Sequence, residues 1–413
     1  MTRTLKKKAG GPLYSGAQGC VFIPSLKCKN SEPENKNLIS KLGTRESAEF
    51  EMREYEKIMP FIKQIKNYKK YFNMNIKICE PDIISPNNLL HFDDVCMNFK
   101  NINSHNVNDN LSHLRLLNMP NLGSDLKVWI QMSMMTPAKV TFFNNKLTEL
   151  ILNAVIPMNS LGVMHNDLKL ENIMISDDKK MRIIDWGLAG VTTPHQIIPS
   201  RYFMNNPVTF NRPFSTMIIS SEINDEILNL PTNFTSDDLE KILSNIYSEY
   251  RLLSSNSHGY YVNIFQKVFN LSKENADAFV IKCVLKYNLD ILKNFTDSEK
   301  NFHLHKYFSD IYRFNTDVWG TLSSFYIMFR LPREHFIMPD ATYNKILSKY
   351  REIFMMVFSN GHQLIDVNKC VKIIKSINKI VNQKYVQFKP HKITLKKKSI
   401  KRKPTPYPVQ KPT

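Results

Sequence analysis

Two short apolar runs, Ile173-Met174-Ile175 and Met181-Arg182-Ile183-Ile184, flank the polar stretch Asp177-Asp178-Lys179-Lys180. This pattern predicts two strands joined by a turn, with residues 172 and 185 side by side at the open end. Upstream, Leu38-Ile39-Ser40-Lys41-Leu42 alternates as a strand does and turns Lys41 to one face. The rhythm then becomes helical. Residues 45–62 carry Phe50, Ile58, Phe61 and Ile62 at 3.6-residue spacing, and Glu54 lies four residues from both Phe50 and Ile58. Leu147 to Ser160 reads as a second helix, which Gly162 ends before the chain enters His165.

Farther along, Leu239, Ile242, Leu243, Ile246 and Tyr247 recur at helical intervals, and Ala278 to Leu285 forms another apolar cluster. Thr235-Ser236-Asp237-Asp238 and Thr296-Asp297-Ser298-Glu299 carry helix-start signals, the latter with capping-box spacing. The Asn-rich stretch Pro81–Asn110 reads as an irregular surface loop, and Lys27 to Asn37 as an insertion that lengthens a hairpin.

Composition narrows the class. The 413 residues are 42% apolar, enough for a substantial core, and no apolar run reaches membrane-spanning length. No secretion-type apolar stretch follows the basic leader 1–10, so an intracellular location is expected. Six cysteines at 20, 28, 79, 96, 283 and 370 form no recognisable metal or disulfide spacing and read as reduced thiols. The net charge is +19, and the tail 389–413 holds nine Lys or Arg and no acid. Such a tail is expected to be disordered, with a nucleic acid or acidic protein as its candidate partner.

The chemistry is concentrated in His165-Asn166-Asp167-Leu168-Lys169-Leu170-Glu171-Asn172, followed thirteen residues after Asn172 by Asp185-Trp186-Gly187. Phosphoryl transfer needs this set at this spacing. One Asp accepts a hydroxyl proton, a Lys steadies the moving phosphate, and an amide and a second carboxylate hold Mg2+. Upstream, Gly16-Ala17-Gln18-Gly19 offers a turn whose backbone can approach phosphates because no Cβ intervenes at either glycine.

Together these segments resemble the eukaryotic protein kinase family, in its serine/threonine branch. The resemblance implies an α+β, two-lobed protein-kinase-like fold: a small strand-rich N-lobe over 11–117 and a large helical C-lobe over 118–388, with a helical insertion at about 215–315 packed near the substrate groove. It implies Asp167 as catalytic base and Lys169 on the γ-phosphate, with Asn172 and Asp185 as Mg2+ ligands. Around ATP it implies Gly16, Ala17, Gln18, Gly19, Val21, Ile39, Lys41 and Met174. Lys41 needs an acidic partner on the following helix, and Glu54 is preferred over Glu51. The resemblance also makes Leu117 to Leu126 the connector between lobes, whose backbone would bond adenine. It makes Asp317, in Asp317-Val318-Trp319-Gly320, a support for the catalytic loop.

The chain departs from the family at four places. Tyr14 replaces the first Gly of the glycine-rich loop. Asn166 replaces an Arg, so activity independent of activation-loop phosphorylation is expected. Trp186 replaces a Phe, and Asn211-Arg212-Pro213-Phe214 stands where Ala-Pro-Glu is usual. That last stretch, with the Lys, Asn and Ile bias, resembles the divergent kinases of large nucleocytoplasmic DNA viruses, which would put the protein in host cytoplasm or virion. The expected function is Mg2+- and ATP-dependent phosphorylation of Ser/Thr in protein substrates; the alternative is a catalytically inactive kinase-fold scaffold.

Overall fold

A computed structural model of the chain describes residues 12–16, 19–29, 37–97, 99, 101–192, 198, 209–219, 221–231, 234–253 and 255–383. The basic leader 1–10, Ala17, Gln18, most of the 27–37 insertion and the tail 389–413 lie outside the described residues.

Strands β1 (Pro12–Gly16), β2 (Gly19–Phe22), β3 (Leu38–Thr44), β4 (Lys77–Cys79) and β5 (Leu114–Pro120) form one antiparallel sheet in the order β1-β2-β3-β5-β4. Opposed residues of an antiparallel pair share a face, and alternate residues of one strand do too. Val21 and Leu117 both lie opposite Lys41, and Met119 lies opposite Ile39. These residues therefore form one face with Lys41. Cys20, Phe22, Leu42 and Leu116 occupy the reverse face, where they are buried.

That reverse face has a cover. Ile84, Phe92, Cys96, Phe99 and Val107 pack on it as one apolar cluster. The 81–110 stretch is thus a core element, not the surface loop its Asn content predicts. An apolar sheet face must be removed from water, and each side chain buried there contributes about 1.5–3 kcal/mol. Two disulfides fasten the arrangement: Cys20 to Cys96 and Cys28 to Cys79. The reading of six reduced thiols is corrected accordingly. The partners are 76 and 51 residues apart, so only the folded chain brings them together.

Helix Arg45–Ile62 leaves β3 directly, begun by Thr44, whose Oγ1 accepts from the Ser47 amide at 3.3 Å. Its buried stripe is Ala48, Glu51, Tyr55, Ile58 and Ile62. The larger lobe begins with β6 (Ser124–Asp125) and its helix Leu126–Gln131. A long helical stretch follows, Pro137–Leu150 continuing through a wider π turn to Ser160. Gly162 then stops it at φ 81°, as predicted. Strands β7 (Val163–Met164), β8 (Ile173–Ile175), β9 (Met181–Ile183) and β10 (Gly190–Val191) follow, β10 pairing with β7 and β8 lying between β6 and β9. β8 and β9 form the predicted hairpin, with Ile173 opposite Ile183.

Helices Ser236–Leu253, Ser255–Phe269 and Lys273–Phe295 occupy the long segment after Phe214. At the first of them the Thr235 amide donates to Asp238 Oδ2, and the Asp238 amide donates back to Thr235 Oγ1, so that start signal is realised. The second signal is not. Thr296 ends a helix, and Asp297 Oδ1 accepts from the amides of Glu299 and Asn301, which closes a turn. Asp side chains compete with helix formation by this kind of local bonding. Helix Arg313–Ser323 runs through the centre of the lobe, and Asp340–Ser359 and Val367–Gln383 close it.

Protein purified without reductant, then denatured and alkylated, should be labelled at Cys283 and Cys370 alone. Peptide mapping by mass spectrometry should recover the 20–96 and 28–79 linked pairs; labelling at all six positions would contradict the pairing.

Candidate active site

Lys41 sits on β3 with its Nζ 2.7 Å from Glu51 Oε2 and 3.9 Å from Asp185 Oδ1. The predicted partner Glu54 is instead bound to Lys57, 2.7 Å away on its own helix. The buried stripe explains the correction. A stripe centred on Phe50 and Ile58 selects Glu54, but the helix turns Ala48, Tyr55 and Ile62 inward, and the residue one turn after Ala48 on that line is Glu51. Burial raises the Glu51 pKa, and the Lys41 charge opposes it without cancelling it. For Asp185, burial pushes the carboxyl up, but Lys41, His165, the Gly187 amide and Lys169 together pull it down by more, so it lies below the ordinary value. Its side chain still shows 40% of its area toward the cleft.

The hairpin brings Asn172 and Asp185 together. The Ile184 amide donates to the Asn172 carbonyl at 3.0 Å, which places Asp185 next to that residue. Asp185 has φ 66° and so bends the chain out of the strand. Trp186 packs beside it, its ring centroid 5.0 Å from His165 and 5.8 Å from Phe72, a buried plug between the lobes.

Asp167 is surrounded by donors. Its Oδ2 accepts from Lys169 Nζ at 2.8 Å and from Asn172 Nδ2 at 2.9 Å. Its Oδ1 accepts from Asn211 Nδ2 at 2.9 Å. The Asn172 amide nitrogen is thus spent on Asp167, which leaves its carbonyl oxygen for a cation. The site fits Mg2+, which takes one or two protein oxygens and fills the rest from water and phosphate. Among the described residues there is no cluster of three His, Cys, Asp or Glu, and Mg2+ needs none.

The loop carrying Asp167 is held from below. Asp317, fully buried on the central helix, accepts from the amides of His165 (2.8 Å) and Asn166 (2.9 Å) and from Asn159 Nδ2 (2.7 Å). Burial pushes its carboxyl up, and these bonds resist the shift. Gly320, one turn on, permits the close approach: a Cβ there would lie 2.5 Å from the Leu168 carbonyl. Asn166 has φ 60°, a conformation Asn tolerates, and its Nδ2 donates to the Leu188 carbonyl at 3.1 Å.

The glycine turn is described in part. Gly16 lies opposite Gly19 where β1 meets β2. Gly19 is required by packing, because a Cβ would come within 2.2 Å of the Leu42 carbonyl. Ala17 and Gln18 lie outside the described residues. Val21 and Ile39 lie on the Lys41 face of the sheet. Met174 lies on β8 opposite Arg182, with Asp125 of β6 on its other side.

Asn211 and Arg212 hold positions that sequence reading did not assign to them. Asn211 reaches Asp167, and Arg212 Nε donates to the Asn166 carbonyl at 2.6 Å. Phe214 packs on Trp319 with centroids 5.1 Å apart, and Trp319 Nε1 donates to the Phe210 carbonyl at 2.9 Å. The signal was an Asn-Arg pair next to aromatics that bury, a combination with no local meaning until the loop carrying Asp167 is beside it.

Residues 90–212 match the family model described as protein kinase domain. A 64-residue stretch is 38% identical to the serine/threonine-protein kinase ppk8 of Schizosaccharomyces pombe. It covers 16% of this chain and 12% of that protein, so the likeness concerns a short part of each. The strand-rich small lobe and the helical large lobe have the two-lobed protein kinase architecture.

Replacing Asp317 by Ala would strand three donors, each left unpaired at a cost of about 1–3 kcal/mol. The substitution should lower unfolding stability by about 3 kcal/mol or more, read from urea melts. A loss below about 1 kcal/mol would show that the loop does not depend on this carboxylate.

Proposed function

We propose that the protein is a serine/threonine protein kinase that uses ATP and Mg2+. The observation that carries this reading is the convergence of Lys41 and Glu51 from the small lobe on Asp185 of the large lobe, where Asp185 stands beside Asn172 and Asn172 and Lys169 both bond Asp167.

Lys41, fixed by Glu51, would pair with the ATP phosphates, and the backbone from Gly16 to Gly19 would cover them. Asn172 and Asp185 would hold Mg2+, which when bound neutralises charge on the phosphate oxygens. Asp167 would accept the proton of a substrate Ser or Thr hydroxyl. The hydroxyl oxygen then bonds the γ-phosphorus, the bond to the β-phosphate oxygen breaks, and ADP leaves. Lys169, already on Asp167, would follow the phosphoryl group across. Asn211 would aim the Asp167 carboxylate.

No helix among the described residues is long and apolar enough to cross a membrane. The viral likeness rests on Asn211 to Phe214 and on composition. The basic tail would recruit an acidic partner or nucleic acid. The alternative, a scaffold that binds nucleotide without transferring phosphate, is favoured by one observation. Both Asp167 oxygens are already engaged by Lys169, Asn172 and Asn211.

Asp167→Asn, which keeps the shape of the side chain, should reduce transfer from radiolabelled ATP to generic protein substrates by about 10²–10⁴-fold. Nucleotide binding should survive. Transfer at the wild-type rate in the variant would remove Asp167 from its role, and nucleotide binding without transfer in the wild type would establish the scaffold reading.

Glu51→Gln should weaken binding of a fluorescent ATP analogue about tenfold, the scale of one charged hydrogen bond. Glu54→Gln should change it by less than about twofold, as expected for an exposed pair. The reverse order would return the partnership to Glu54.

A further inference from the structure

A cavity of about 430 Å³ opens directly beside Asp167 and Lys169. Its walls combine the catalytic loop, the stretch at Phe210 and Asn211, the helical segment at Tyr260, and the Tyr326–Arg330 region. A transfer site must admit the segment that carries the acceptor hydroxyl, and this is the opening that reaches the base.

The charges lining it are unevenly satisfied. Glu171 at one end is held by Lys127, with Nζ 2.7 Å from Oε1. The Asp167 carboxylate is taken up by Lys169, Asn172 and Asn211. Among the described residues of the cavity wall, no carboxylate is left for a basic substrate side chain. Arg330 differs from the other charged groups of the wall. It is exposed, its guanidinium lies 6.0 Å from the Tyr326 ring centroid, and it has no carboxylate partner among the described residues.

Between these ends the wall is aromatic. Phe210 lies 5.4 Å from Tyr326 and 6.1 Å from Tyr260, centroid to centroid. Tyr260 is 43% exposed although it stands in this aromatic group. Such rings offer an apolar side chain a place to be removed from water.

Resting on the transfer reading above, we infer that the substrate is a protein segment whose acceptor Ser or Thr is flanked on one side by an apolar residue, seated on Phe210, Tyr260 and Tyr326, and then by an anionic side chain that pairs with Arg330. The guanidinium fork suits a carboxylate or a phosphoryl group equally in geometry. A basic segment would meet Lys127, Lys169 and Arg330 with no acid free to receive it. The +19 charge of the whole chain adds a field that draws anionic segments in.

The test separates binding from catalysis. Fluorescent peptides with Ala in place of the acceptor cannot be phosphorylated, so their anisotropy titrations report groove affinity whether or not the protein transfers phosphate. Four peptides would differ only in the flanking residue: Asp, phosphoserine, Ala or Arg. The full-length protein should bind an anionic peptide about fivefold more tightly than the Ala peptide, the upper range for an exposed pair, and the Arg peptide most weakly. The ranking of Asp against phosphoserine identifies which anion the groove takes. Arg330→Lys should keep the anionic preference, and Arg330→Glu should reverse it toward the Arg peptide. Equal affinity for all four peptides, or an unchanged order in Arg330→Glu, would overturn the inference. Absent phosphorylation of Ser-containing versions, with the binding order intact, would sink the transfer reading and leave the groove assignment standing.

Discussion

The buried Asp317 carboxylate sets the geometry on which the site depends. It receives two consecutive backbone amides, at His165 and Asn166, from a loop that has no regular structure of its own. A buried carboxylate without such donors would be expensive, and buried amides without an acceptor would be too. Each requirement satisfies the other, so the loop has one place to be. Asn166 can then hold a left-handed conformation and turn Asp167 outward, and Gly320 lets the loop settle within contact of the helix backbone.

A second constraint spans the lobes. Lys41 belongs to the sheet, Glu51 to the helix that follows it, and Asp185 to the large lobe. One ammonium faces two carboxylates in a cleft where the protein excludes part of the solvent, so the charges act at longer range than on the surface. The arrangement keeps Asp185 ionised and directed at open space. The cation also orients the small lobe against the large one, and Trp186, wedged between His165 and Phe72, gives the same junction an apolar component.

What could be read from the sequence divides by range. The β8–β9 hairpin was legible because its apolar runs and polar turn are contiguous, and the hairpin alone brings Asn172 to Asp185. The helix 45–62 was legible in extent because its period is local, but not in phase. Of the four residues expected inward, Ile58 and Ile62 are buried, but Phe50 and Phe61 are only partly so, and the stripe continues instead through Ala48 and Tyr55, and with them Glu51. Asn-rich composition made 81–110 look like a loop, because the apolar sheet face it covers is assembled from β2, β3 and β5. Asn211 gave no hint of its bond to Asp167, 44 residues upstream. In each miss the deciding neighbour is distant along the chain.

The two cystine bridges span 76 and 51 residues and overlap in sequence. Both tie the covering segment or its approach to the β2 side of the sheet. Their leverage falls on the denatured chain, whose freedom is curtailed by closing loops of that length, worth about 4 kcal/mol for each in the chain-entropy account. Part of the small lobe's resistance to unfolding therefore has no counterpart among its native contacts. A disordered small lobe would still be a cross-linked ring, with its cover tethered and the route back shortened.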